Sequence, residues 1–279
     1  MSTAVPSPLI EMPGGVQIPQ LGFGTYKVGQ DEAYSSVQAA LEAGYRHIDT
    51  AEMYGNEAEV GKAIAESGVP RDEVFITSKL NNPFHEPDAA RKAFAQTLED
   101  LQVDHVDLFL IHWPLAKTTD YVATWRTMLE FQQDGRARAV GVSNFEPEHL
   151  HAIIDATGVT PAVNQIEIHP YLAQQDLVGV NNELGIVTES WSPLGRGSLL
   201  EDPVITSVAE DLGRSTAQVI IRWHLQRGLV VIPKSVHPER IAANADVFDF
   251  ELTEAQMGLI NALDRGQRTG SHPDKVELA

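Results

Sequence analysis

Four residues stand where short apolar runs give out. Asp49 closes "RHID", Lys79 sits near the end of "EVFITSKL", His112 follows "HVDLFLI", and Tyr54 lies five residues beyond Asp49 in "YRHIDTAEMYGNEAEVG". Brought together, a carboxylate, an ammonium, an imidazole and a phenol suit proton donation to an oxygen that is becoming negative. A free phenol titrates near ~10 and is a reluctant acid until a nearby cation favours its phenolate. Lys79 can be that cation, Asp49 can hold it charged and aimed, and His112 can orient a carbonyl and share its developing charge. A structural ion pair accounts for Asp49 and Lys79 alone, but burying two further titratable groups beside it costs desolvation without improving packing. No Ser nucleophile stands beside a base and the chain has no cysteine, so the group that attacks the carbonyl carbon must come from outside the chain.

Such residues can meet only if the runs that carry them are neighbouring strands, about 4.8 Å apart. Eight runs qualify: "QLGFGT", "RHIDT", "EVFITSKL", "HVDLFLIHW", "ARAVGVSNF", "AVNQIEIH", "IVTESWS" and "LVVIPKS". Between them the periodicity predicts helices over Asp31 to Ala43, Asn56 to Ser67, Pro87 to Leu101, Tyr121 to Asp134, Glu146 to Ala156, Asp176 to Leu184, Ser215 to Arg227 and Pro238 to Val247. Asn56 and Glu59 have the spacing of a capping box. An extra helix is expected over Asp202 to Gly213, before the last strand.

Eight alternating strand and helix units predict an α/β fold, a TIM (β/α)8 barrel, whose reactive groups come from the C-terminal ends of several strands. "LIEMPGGVQIP" reads as a β-hairpin plugging the N-terminal mouth of the barrel. No linker or low-complexity tract divides the chain, so residues 1–279 form one catalytic domain in this reading. "GFGTYKVG" has only the first two glycines of a dinucleotide-binding loop, so a nucleotide would bind by other means.

The composition narrows the function classes. A formal charge of −19 argues against a nucleic-acid partner, which needs clustered Lys and Arg. No window has the apolar length of a membrane span, and "MSTAVPSPLIEMPGG" lacks the basic and apolar regions of a signal peptide. An unexported, cytoplasmic protein without a membrane partner is therefore expected. His47, Glu167 and His169 could be read as metal ligands on barrel strands, but structural histidines are the better reading and no metal site is expected. Glu52 reads as an exposed loop charge.

"GYRHIDTAEMYGNEAEVG", "ARAVGVSNF" and "IPKSVHPERIAAN" resemble the three signatures of the aldo-keto reductases, in order, and "LIHWP" and "PAVNQIEIHPY" fit between them. Within that family "VDLFLIHWP", "ESWSPLG", "VFDFELT" and "SHPDKVE" are most similar to the bacterial 2,5-diketo-D-gluconic acid reductases. The resemblance supplies the missing attacker, a hydride from NADPH, which leaves as NADP+. It implies Tyr54 as the general acid, with Asp49, Lys79 and His112 in support. Ser143, Asn144 and Gln165 match residues that hydrogen-bond the nicotinamide carboxamide, and Trp191 one that stacks on the ring. Lys234, Ser235 and Arg240 match the 2′-phosphate site, where two cations and a hydroxyl suit a dianion; Asn244 matches an adenine contact. Phe23 is expected to face the cofactor, with Gly24, Thr25, Ser192, Leu194 and Val236 completing its contacts.

The expected substrate pocket has Tyr54 and His112 at its base and Tyr26, Asn81 and Trp113 as walls. Asn81 stands where many relatives carry Trp, Tyr26 where some carry Trp, and Ala243 where Glu is common. A small keto-sugar acid or an α-dicarbonyl is the expected substrate, and a monomer the expected state. Two rival readings stay open. Lys79 could form a Schiff base in an aldolase, or the chain could bind nucleotide without catalysis, as the redox-sensing partner of a membrane channel.

Overall fold

In the computed structural model, which describes residues 5–276, eight parallel strands run in chain order around one barrel. After the antiparallel hairpin of β1 (Leu9–Glu11) and β2 (Gln17–Pro19) come β3 (Phe23–Gly24), β4 (His47–Asp49), β5 (Phe75–Leu80) and β6 (Val106–Ile111). They continue with β7 (Ala137–Ser143), β8 (Val163–Glu167), β9 (Val187–Trp191) and β10 (Val230–Val231). The first and last strands are shorter than the apolar runs predict. A parallel bridge between Leu21 and Val231 nevertheless joins them, supported by Gly22 N donating to Val231 O and Gly24 N to Pro233 O.

The helices are α1 (Gln30–Glu42), α2 (Glu57–Glu66), α3 (Pro87–Leu101), α4 (Tyr121–Gln133), α5 (Pro147–Thr157), α6 (Gln175–Glu183), α7 (Pro203–Leu212), α8 (Thr216–Gln226), α9 (Pro238–Ala245) and α10 (Glu254–Asn261). Helix α7 is the extra helix before the last strand. Helix α10 is absent from the sequence reading, although Thr253 and Gln256 cap it reciprocally in a pattern the sequence displays. Only Ile260 of α10 is buried, so its apolar periodicity was too weak to register.

Strand periodicity divides the core in two. Ile48, Ile76, Phe109, Ile111, Val140, Val142 and Ile166 point outward into the cluster shared with the helices. Phe75, Leu108, Leu110, Ala139, Val163 and Val230 point into the barrel. Met12 and Ile18 from the N-terminal hairpin join this inner cluster, so the hairpin closes the N-terminal end as a plug. At Gly141 the barrel is too narrow for a side chain: a Cβ would lie 2.6 Å from Val163 O. Higher along the same strands the inward positions turn polar, and those residues form the site.

Two local expectations need correction. Asn56 precedes α2, but its side chain caps nothing. It is fully buried, donating to Thr25 O and Val28 O (both 3.1 Å) and accepting from Thr50 Oγ1 (3.1 Å). Satisfying three groups of the barrel-top loops outweighs one exposed helix N–H, so the capping-box reading fails. Glu52 is half-buried rather than exposed, with Oε2 sealed from solvent.

Glu57, in the first turn of α2, is wedged against the outer face of β5. Ser78 Oγ donates to it at 2.5 Å and Thr97 Oγ1 at 3.2 Å. Burial pushes its carboxyl up to about 7 against the pull of those two bonds. The folded chain therefore holds this proton more tightly than the unfolded one, whose carboxyl keeps the ordinary value of 4.5. The stability contributed is full below about pH 4.5 and lost as pH rises through about 7. Glu57→Gln should remove that slope, and thermal melts from pH 4.5 to 8 should show the variant gaining on the parent as pH rises.

Candidate active site

The register places the four chemical residues. Asp49 pairs with Thr77, so Lys79 stands two residues further along β5, and is itself paired with Leu110. The groups are therefore not at equal heights, as simple adjacency predicts; Lys79 reaches back across the tilted strands. Its Nζ donates to Asp49 Oδ1 (2.7 Å), Thr50 O (2.8 Å) and Tyr54 OH (3.3 Å). The three donors of the ammonium are thereby used. Burial works against its charge, but Asp49 and Tyr54 outweigh that and hold the amine above its ordinary range.

Tyr54 ends the turn Glu52–Tyr54 and overhangs Lys79, with Nζ 5.1 Å from its ring centre. Burial pushes its phenol up to about 12, and the opposing pull of Lys79 only moderates this. The expectation that Lys79 makes Tyr54 a readier acid is thus met in direction but not in net effect, because desolvating the phenolate costs more than one neighbouring cation returns. Tyr54 is a loaded phenol throughout the neutral range.

Edge-on to Tyr54, with ring centres 5.9 Å apart, lies His112. Burial and then Lys79 push its imidazole well below the ordinary value, so the ring is neutral. Its Nδ1 is buried without a partner among the described residues. A neutral N–H and a phenol O–H facing one space can both donate to a single carbonyl oxygen.

A second layer ties this group to the neighbouring strands. Gln165 Nε2 donates to Asp49 Oδ2 (2.8 Å) and Glu189 Oε2 (2.9 Å), which fixes the amide and leaves its oxygen free. Ser143 Oγ donates to Gln165 O (2.8 Å). Asn144, in a left-handed conformation that Asn tolerates (φ 64°), donates from Nδ2 to His112 O and Ser143 Oγ, both at 3.0 Å. Its Oδ1 accepts from Trp191 Nε1 at 2.9 Å. Asp49, Lys79, Tyr54, His112, Ser143, Asn144, Gln165 and Trp191 are therefore one connected group.

Sequence reasoning missed Glu189, a polar residue inside the run "IVTESWS" whose place opposite Gln165 follows only from the register. Burial, then Asp49, pushes its carboxyl up to about 8, so it is neutral near pH 7. His47, 3.7 Å from Glu189 and bonded through Nε2 to Thr77 Oγ1, is pushed down to about 4 by burial. Next to the Asp49–Lys79 pair, this acid and this base are thus both uncharged.

The remaining expected residues sit around this group. Tyr26 is exposed and packs against Tyr54, ring centres 5.1 Å apart, while Asn81 and Trp113 are half-buried after β5 and β6. Asn81 Oδ1 is engaged as a local cap, accepting from Asn82 N. Phe23 differs from expectation: it is 1% exposed and packs edge-on to Tyr45, 5.8 Å between centres. Its side chain belongs to the core and can offer a cofactor only backbone. Thr25 is likewise buried, with Oγ1 donating to Asp49 O.

Lys234, Ser235 and Val236 follow β10, and Arg240 and Asn244 lie on α9. Among the described residues neither Lys234 nor Arg240 has a carboxylate partner. Ser235 Oγ accepts from His237 N (3.1 Å), leaving its O–H to donate. Two uncommitted cations and a hydroxyl at a helix start can hold a phosphate. Ser192, at φ 49°, and Leu194 line the loop after β9.

The closed barrel carries a buried Lys–Asp pair under a phenol and an imidazole, an arrangement suited to giving a proton to a carbonyl oxygen. The chain belongs to the aldo/keto reductase family, whose model matches residues 20–265. It is 53% identical over 267 residues to an aldo-keto reductase of Mycolicibacterium smegmatis, covering 96% of this chain and 97% of the relative. It is 46% identical over 269 residues to the methylglyoxal reductase DkgA of Escherichia coli K12, with 96% and 97% covered. The crystal structure of a Gox0644 mutant in complex with NADPH superposes with a TM-score of 0.94 at 43% identity, covering 98% and 99% of the two chains. The chain is accordingly an oxidoreductase acting on carbonyl groups. No helix among the described residues is long and apolar enough to cross a membrane.

Asn56 holds the loop that carries Tyr54 to the loop after β3. Asn56→Ala would strand buried partners and should cost about 1–3 kcal/mol. Urea denaturation of the variant should show a lower midpoint at unchanged slope.

Proposed function

We propose that this protein reduces a small aldehyde or ketone to an alcohol with NADPH, and that Tyr54 gives the proton. The observation that carries this reading is the Lys79 ammonium bonded at once to Asp49 and to the Tyr54 hydroxyl. NADPH supplies the hydride. The substrate oxygen is held between Tyr54 O–H and the neutral N–H of His112. As negative charge grows on that oxygen, Tyr54 releases its proton, and the phenolate left behind faces a cation whose charge is fixed by Asp49. The loaded phenol at about 12 means that the acid is ready across the neutral range. Reduction should lose rate only where alkaline pH removes the phenolic proton.

In this reading Ser143, Asn144 and the free oxygen of Gln165 hold the carboxamide of the nicotinamide, Trp191 backs its ring, and Lys234, Ser235 and Arg240 take the 2′-phosphate. Lys79 is a poor candidate for a Schiff base, being buried, charged and committed through all its donors. A purely nucleotide-binding role leaves the complete Tyr54–Lys79–Asp49–His112 group without a use.

The pocket mouth favours small polar carbonyls. Asn81 offers amide donors where a larger ring would close the wall, and Tyr26 and Trp113 give flat faces. A relative named methylglyoxal reductase supports an α-dicarbonyl, and the sugar-acid reductase motifs support a keto-sugar acid. One kinetic survey of keto-acids, dicarbonyls and aromatic aldehydes, each with NADPH and NADH, distinguishes them.

Tyr54→Phe should lower kcat about 10²- to 10⁴-fold while NADPH titration shows nearly unchanged binding; near-normal reduction by this variant would refute the assignment. Lys234→Ala and Arg240→Ala should each weaken NADPH by about tenfold or more, the worth of one charge-assisted bond. They should leave NADH little changed, as equilibrium fluorescence titration would show.

A further inference from the structure

Glu167, the last residue of β8, has no part in the proposed chemistry, yet it is fully buried and accepts from several donors at once. Its Oε1 accepts from Thr269 N (2.7 Å), Thr269 Oγ1 (2.5 Å) and Gly270 N (3.1 Å), with His169 Nε2 at 3.2 Å. Its Oε2 accepts from Gly270 N at 3.2 Å. Burial raises its carboxyl, but the bonds from His169, Thr269 and Gly270 prevail and hold it at about 2. The anion therefore persists at any working pH, and its donors from the tail lie more than 100 residues further along the chain.

What the tail does there is visible at Gly270. A Cβ on this residue would lie 2.3 Å from Cη2 and 3.0 Å from Cζ3 of Trp191, and 3.3 Å from Glu167 Oε2. The backbone of the tail is thus pressed against the benzo edge of the indole, at a distance only glycine permits. The opposite edge is held by the Nε1 bond to Asn144, whose amide also holds His112 O and Ser143 Oγ. Further anchors keep the tail in place: Gln267 N donates to Tyr171 O, the Arg265 guanidinium lies 3.6 Å from the Tyr171 ring centre, and Arg268 is 3.7 Å from Glu146.

We propose that Glu167 is a positioning residue for the nicotinamide: by anchoring Thr269 and Gly270 it clamps the benzo edge of Trp191, while Asn144 fixes the other edge. The inference rests on the reading above that Trp191 backs the nicotinamide ring. With both edges fixed, the indole presents one flat face at one height, and the ring that lies on it need not order it first. Releasing the tail frees the indole to rotate about its side-chain bonds, and the cost falls on the nicotinamide half of the cofactor. The 2′-phosphate group at Lys234 and Arg240, on other elements, is not touched.

The test compares two ligands, NADPH and adenosine 2′,5′-bisphosphate, which keeps the phosphate half and lacks nicotinamide. Binding is measured by titration to the full chain and to Glu167→Gln, Gly270→Ala and Trp191→Ala variants. Glu167→Gln and Gly270→Ala should each raise the NADPH dissociation constant about tenfold, corresponding to about 1.4 kcal/mol. Both should bind the bisphosphate within about twofold of the parent, a split that general destabilisation does not produce. The effects of Glu167→Gln and Gly270→Ala should not add when combined, since both act through one clamp. Equal weakening of both ligands would mean a merely structural role and overturn the proposal. NADPH binding weakened by Trp191→Ala but not by the other two would overturn the clamp alone. NADPH binding unchanged in all three would overturn the placement of the nicotinamide on Trp191, and the clamp with it.

Discussion

The buried ammonium of Lys79 is the constraint around which the upper barrel is built. A charge without solvent must have its donors satisfied, and here they reach a carboxylate, a backbone carbonyl and a phenol in one shell. Each partner then inherits a constraint. Asp49 must stay at the end of β4, which Thr25 and Gln165 secure; Thr50 must present its carbonyl; and Tyr54 must sit on a turn that Asn56 ties down. The geometry that suits proton donation is thus also the geometry that makes the buried charge tolerable.

Near that charge the barrel keeps two other ionisable groups neutral. Glu189 and His47 lie close together, yet burial moves the acid up and the base down, so neither adds a charge near pH 7. A second anion beside Asp49 would compete for Lys79. Glu189 instead acts through the Gln165 amide, whose two donors are divided between the two carboxyl groups. The orientation of the amide oxygen is set by these two buried carboxyl groups.

Glu167 solves the same problem differently. It stays ionised, because backbone and hydroxyl donors from a distant tail satisfy it. One barrel rim therefore uses three solutions for a buried ionisable group: pairing with an opposite charge, neutralisation, and capture by N–H groups. The first places the proton donor, the second steadies an amide, and the third brings the C-terminal tail across to Trp191.

The barrel and the identity of the four chemical residues were legible in the sequence, because strand and helix periods alternate eight times and Asp49, Lys79 and His112 fall at the ends of apolar runs. The family resemblance pointed to Gln165 and Trp191, and local pattern to Tyr54. Sequence reasoning could not tell that Lys79 reaches back to a strand position lower than its own, since the stagger of tilted strands is a property of the closed barrel. It misjudged Asn56, whose spacing fits a helix cap but whose side chain serves three loop groups from other segments. It placed Phe23 toward a cofactor when the core claims that ring, and it left Glu167 and Glu189 without roles. For these residues type and neighbours along the chain are ambiguous; burial, and hydrogen-bond partners up to 103 residues away, decide protonation and purpose. Sequence determined which groups are present and on which strands, whereas the tertiary structure decided which of them stay charged and what each one holds.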